Sequence, residues 1–122
     1  MVVEDEENVR NVVQRHLSRA GWNVTGAENG QVALDFLSDE LEPDVVILDL
    51  MMPEIDGFEV AERMRAHPEW NDIPVIVLTA MDLGEQDYRR LRDSVSRVIE
   101  KSATSFEEVV EEVSRVAGAR AS

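Results

Sequence analysis

The chain contains no cysteine and a single lysine, and only 5% of its 122 residues are aromatic. Without cysteine there is neither a disulfide framework nor a thiolate metal site. No apolar run approaches the roughly 20 residues that a membrane-spanning helix needs. Basic residues are scarce, 12 Lys and Arg against 26 Asp and Glu, for a net charge of −14. Phosphate backbones would repel such a surface, which argues against direct nucleic-acid binding. Arg89, Arg90 and Arg92 form the only local basic cluster, either a solvated helix face or a surface for an acidic partner segment. The length suits one domain with a single core. No secretory signal is visible, because the N-terminus reaches Glu4-Asp5-Glu6-Glu7 almost at once, and a cytoplasmic location is the default expectation.

The chain is built instead on an alternation of apolar runs and amphipathic stretches. Val45–Leu48, between Asp44 and Asp49, reads as a strand buried on both faces, the mark of a parallel sheet. Asp49 ends that strand, and Pro53 and Gly57 break the next stretch into a turn. A carboxylate at the carboxyl end of a buried parallel strand lies where open α/β sheets place their ligands. Met1–Val3 predicts a second buried strand, bringing Glu4 and Asp5 to the same edge. Three carboxylates together repel unless a cation joins them, and Mg²⁺ suits such oxygen ligands. Ile73–Leu78 predicts a strand followed by Thr79-Ala80, and Ser96–Glu100 a weaker one followed by Lys101. Trp22–Ala27 predicts a short strand. Helices are expected over Val9–Ala20 with Gly21 as a stop, from Asn29-Gly30 through Leu37, over Gly57–Arg65 capped by Asp56, over about Glu85–Arg92, and on from Phe106. Five β-α units without repeats indicate a doubly wound α/β sandwich.

With Glu4-Asp5, Asp49, Pro53, Gly57, Thr79-Ala80 and Lys101 in this order between strands, the chain resembles a response regulator receiver domain of two-component signalling. The resemblance runs from Val2 to about Val116, with residues 1–117 as the domain and 118–122 as a tail or the start of a linker. It implies a flavodoxin-like five-stranded parallel sheet of order 2-1-3-4-5 with helices on both faces. It also implies transfer of a phosphoryl group to Asp49 from a histidine kinase or histidine phosphotransfer protein, in a Mg²⁺-dependent reaction that switches protein interactions. Such a domain is a signalling phosphoacceptor that promotes its own phosphorylation and dephosphorylation, rather than an enzyme. By the resemblance, Asp5, Asp49 and the backbone carbonyl of Met51 bind the metal, and Glu4 binds it or its water shell. Lys101 and Thr79 contact the phosphoryl oxygens, and Ala80 keeps the approach open. Oligomeric state is left open, a phosphorylation-dependent dimer being one option.

Three features depart from the commonest pattern of that family. Ser102 follows Lys101 where proline is usual, Val98 stands where an aromatic switch residue is common, and Leu91–Val95 replaces a Gly-Ala turn. The region from Asp82 to Ser105 resembles receivers carried by multidomain sensor kinases. The alternative function is a degenerate receiver acting only as an interaction module. A haloacid-dehalogenase-type phosphatase would need an acidic residue at Met51, and a nucleotide-binding flavodoxin-like domain would need a Gly-rich loop after the first strand. His16 and His67 read as structural or solvent-facing, with no zinc-like spacing.

Overall fold

The computed structural model describes residues 1–39, 41–80, 82–100 and 105–121. Strands β1 (Val2–Val3), β2 (Gly26–Ala27), β3 (Val46–Leu48), β4 (Val75–Thr79) and β5 (Arg97–Glu100) form one parallel sheet, ordered β2-β1-β3-β4-β5. Helices α1 (Glu7–Arg19), α2 (Gly30–Ser38), α3 (Gly57–Ala66), α4 (Glu85–Leu91) and α5 (Phe106–Ala121) alternate with them. The topology is the one the receiver resemblance implies.

Successive strand residues point to opposite faces, and both faces are apolar. Val3, Val46, Leu48 and Val75 pack with Ala33, Leu34 and Leu37 of α2 and with Val60, Ala61 and Met64 of α3. Val2, Ile47, Ile76, Leu78 and Ile99 pack on the other side with Val13 and Leu17 of α1 and with Val109 and Val113 of α5. A smaller cluster of Leu50, Phe58, Val77 and Leu91 sits beneath α4. Each fully buried Val, Leu or Ile contributes about 1.5–3 kcal/mol of burial free energy, so the sheet interior is the main source of stability.

Local signals explain the element ends. The side chains of Asn29 and Asp56 accept hydrogen bonds from the amides of Val32 (2.8 Å) and Glu59 (2.9 Å), capping α2 and α3. Gly21, with φ +100°, closes α1: its amide donates to Ser18 O and that of Trp22 to Leu17 O, both at 3.1 Å. This is the left-handed closure that favours glycine. It also explains why β2 is shorter than the expected Trp22–Ala27 run. Residues 20–22 are consumed in ending α1, and the first bond to β1 comes from Val2 N to Thr25 O at 2.9 Å. β4 likewise starts at Val75 rather than Ile73, whose amide is held in a turn by Trp70 O at 3.1 Å.

Candidate functional site

β1 and β3 run side by side with Val3 paired to Leu48, so the next residues, Glu4 and Asp49, leave the sheet together at its carboxyl edge. Asp49 N donates to Val3 O and Glu4 N to Ala27 O, each at 3.0 Å, which fixes both backbones. Carboxylate oxygens of Glu4, Asp5 and Asp49 all lie within 4.8 Å of one another. Glu4 and Asp49 are 5% and 6% exposed, while Asp5 is open to solvent. Like charges repel more strongly in so dry a setting than in water, and a cation relieves that repulsion. Oxygens around one Mg²⁺ at 2.0–2.1 Å stand roughly 3–4 Å apart, so the observed spacing and the all-oxygen donor set fit that ion.

The neighbouring positions complete the edge. Met51, 62% exposed, donates its amide to Asp49 Oδ1 at 3.4 Å, which folds the loop back over the carboxylate. Thr79 ends β4, fully buried, and the β3–β4 register places it two residues beyond the Leu48–Val77 pair, alongside the loop that starts at Asp49. Ala80 comes next, at the surface. Across the ladder Thr79 pairs with Glu100, the residue before Lys101. Lys101 and Ser102, and with them the question of the peptide between the two, lie outside the described residues.

The loop from Asp49 to Gly57 is held by features that residue patterning does not announce. Glu54 sits at φ 65°, in the left-handed region. Gly57 N donates to Leu50 O at 3.1 Å, and a Cβ there would overlap the carbonyl oxygen of Asp49. Gly30 stands against Ile55 O and Val60, where an added Cβ would come within 2.9 and 2.8 Å. Arg10 Nη1 donates to Glu4 O at 2.8 Å, pinning the peptide that carries Asp5. Nothing in the sequence singles out Arg10, because only the turn of α1 back over β1 brings it to that carbonyl. The two histidines take no part. His16 Nδ1 is 2.9 Å from Val12 O and its ring lies against Phe106, while His67 stacks on Trp70 with centroids 3.7 Å apart.

A doubly wound parallel sheet with a cluster of carboxylates at its carboxyl edge is the architecture of the receivers. The chain belongs to the response regulator receiver domain family, whose sequence profile matches residues 1–114. It is similar to the response regulator MprA of Mycolicibacterium vanbaalenii, 43% identical over 82 residues, covering 67% of this chain and 34% of that protein. The chain thus spans about a third of the length of the curated relatives it matches. Its structure is similar to the receiver domain of a signal transduction histidine kinase from Syntrophus aciditrophicus, with TM-score 0.87 and 28% identity over 97% of this chain and 88% of that one. It is also similar to the response regulator TrrA of Thermotoga maritima, solved in complex with Mg(2+)-BeF, with TM-score 0.81 and 35% identity over 94% and 95% of the two chains. Among the described residues no helix is long and apolar enough to cross a membrane.

Proposed function

We propose that Asp49 is a phosphoacceptor, taking a phosphoryl group from a phosphohistidine on a kinase or histidine phosphotransfer protein. The observation that carries this reading is the convergence of the Glu4, Asp5 and Asp49 carboxylates at the end of β1 and β3. An Asp49 carboxylate oxygen forms the new P–O bond as the donor's P–N bond breaks, and the departing imidazole keeps the bonding pair and takes up a proton. Little covalent work falls to the protein, so positioning and charge neutralisation dominate. Glu4, Asp5, Asp49 and the Met51 carbonyl would hold Mg²⁺, which when bound offsets negative charge on the phosphoryl oxygens. Thr79 donates its hydroxyl to a phosphoryl oxygen, Lys101 supplies a second positive charge, and Ala80 leaves the approach clear. The same residues expose the acyl phosphate to water, so the domain promotes both gain and loss of its phosphoryl group.

In this reading residues 1–117 form a cytoplasmic signalling unit whose phosphorylation changes which protein surfaces it offers, with a phosphorylation-dependent dimer as one such change. The convergence of three carboxylates, two of them buried, favours it over an interaction module devoid of chemistry. Intact mass after acetyl phosphate with Mg²⁺ tests it. The expected result is one phosphate-sized gain that needs the metal and is absent from Asp49→Asn. No gain from acetyl phosphate or a phosphohistidine donor, together with no beryllofluoride binding, would leave the interaction module as the better reading.

A further inference from the structure

The two buried carboxylates of the acidic cluster are placed by the sheet, and the exposed one is not. Asp49 and Glu4 each donate a backbone amide to a neighbouring strand, to Val3 O and Ala27 O, both at 3.0 Å. Asp5 lies one residue further on, where β1 has ended at Val3 and β2 has turned into α2 behind its cap, Asn29. Nor does a cap fix the chain on the far side, because the Glu6 side chain makes no capping hydrogen bond to α1. Arg10 holds Asp5 from both directions instead. Its amide donates to Glu6 O at 2.9 Å, and its guanidinium Nη1 donates to Glu4 O at 2.8 Å.

We infer that Arg10 is a positioning residue for the cation site. By binding the carbonyls on either side of Asp5, it keeps that exposed carboxylate beside Glu4 and Asp49. The amide half of this clamp is the ordinary bond of a helical turn, which almost any residue would supply. The guanidinium half belongs to the arginine side chain, whose planar fork reaches back past the start of the helix. Arg10 is half-buried, so its charged hydrogen bond to Glu4 O is stronger than a neutral one and only partly screened. A group that orients a metal ligand without touching the ion typically accounts for about 10–100-fold in metal affinity. The charge of Arg10 works the other way. A guanidinium near the site repels a divalent cation, so removing the charge alone would tighten Mg²⁺ binding. The direction of the change therefore separates positioning from charge. The inference rests on the reading of Glu4, Asp5 and Asp49 as the Mg²⁺ site of a phosphoacceptor.

Calorimetric titration with Mg²⁺ alone, beside ¹⁵N relaxation of the metal-free chain, tests it. Arg10→Ala should weaken Mg²⁺ binding about tenfold. It should also lower the backbone order parameter of Asp5 before any metal is added. Arg10→Lys, which keeps the charge and a donor, should recover part of the loss. Arg15→Ala removes the same charge from an exposed position of α1 and should leave the affinity within about twofold. Mg²⁺ binding that is unchanged or tighter in Arg10→Ala, while the parent chain takes phosphate from acetyl phosphate, would overturn the positioning role and leave the phosphoacceptor reading intact. Arg10→Met keeps the helix propensity and the apolar stem, and it decides in the same way if the alanine variant does not fold. A parent chain that binds no Mg²⁺ and takes no phosphate would overturn both readings.

Discussion

Gly57 stands directly against the backbone of Asp49: a Cβ on it would overlap the Asp49 carbonyl oxygen and come within 2.7 Å of Leu50 Cα. The first turn of α3 and the end of β3 are in this way locked to each other, with Gly57 N bound to Leu50 O at 3.1 Å. Neither obstructing group is the far end of a flexible side chain, so a methyl there cannot be accommodated by a rotamer change. Gly57→Ala should cost about 2–3 kcal/mol of stability, the upper range for overpacking. Urea unfolding measures the loss. Mg²⁺ affinity should fall in the same variant, because the backbone that moves carries Asp49.

Glu54 carries a different strain. Its φ of 65° is a conformation that costs an L-residue about 1–2 kcal/mol, whereas glycine adopts it freely. Glycine gives back about 0.5–1 kcal/mol through the entropy of the unfolded chain. Glu54→Gly should therefore stabilise the protein by about 0.5–1 kcal/mol. Thermal unfolding of the metal-free protein gives the answer, and a lowered midpoint would mean that the Glu54 side chain contributes something glycine cannot replace.

The acidic site makes a prediction about metal. Three carboxylates within 4.8 Å of one another offer an all-oxygen donor set, so bound Mg²⁺ should stabilise the fold. At ten times its dissociation constant the ion contributes RT ln 11, about 1.4 kcal/mol. Asp49→Asn should remove most of the Mg²⁺-dependent gain, since it takes away one of the three carboxylates that face the ion. Unfolding curves of both proteins with and without Mg²⁺ give all four values.

The five helices and the edge where Glu4, Asp5 and Asp49 meet were legible because each rests on a local pattern with one outcome, whereas the strand order followed only from the family resemblance. A run such as Val45–Leu48 can be buried only between two layers, and Asn29 and Asp56 cap helices through their own side chains. Boundaries were less legible where two elements claim the same residues, as when the closure of α1 takes Trp22 from β2. What could not be read were contacts set by tertiary geometry alone. Arg10 on Glu4 O, Arg90 on Glu62 and Tyr88 on Glu100 join residues whose separation in sequence, from 6 to 28, carries no periodic signal.

The Arg90–Glu62 pair has a pH dependence with a definite sign. The hydrogen bond from Arg90 holds the Glu62 carboxyl below its usual value, against a smaller opposing effect of burial. A carboxyl with a lowered folded-state pKa contributes stability that is complete above the ordinary carboxylate range and lost as pH falls through the lowered value. Both side chains are nearly half exposed, at 47% and 44%, so solvent screening keeps the pair to about 0.5 kcal/mol. Glu62→Gln should cost that much at neutral pH and nothing in strong acid. Arg90→Met should cost more, about 1 kcal/mol, because it also uncovers the Phe58 ring. A double-mutant cycle run at neutral and acid pH separates the two contributions.

Glu100 leaves a signature on Tyr88 that can be read without perturbing the acidic site. The hydrogen bond to the Glu100 carboxylate raises the Tyr88 phenol above the ordinary tyrosine value, with burial and the negative charge of Glu100 adding to it. Ionising the phenol breaks a charge-assisted bond and sets two anions against each other, so the neutral form is favoured. Glu100→Gln removes the charge but keeps an acceptor, and it should bring the titration down toward the ordinary value. Since Tyr88 is the only tyrosine, an ultraviolet absorbance titration of phenolate reports on it alone. A titration that does not move in Glu100→Gln would show that the 3.1 Å contact is not held in solution. α4 would then be held to β5 only through the apolar packing of Leu91 and Val98.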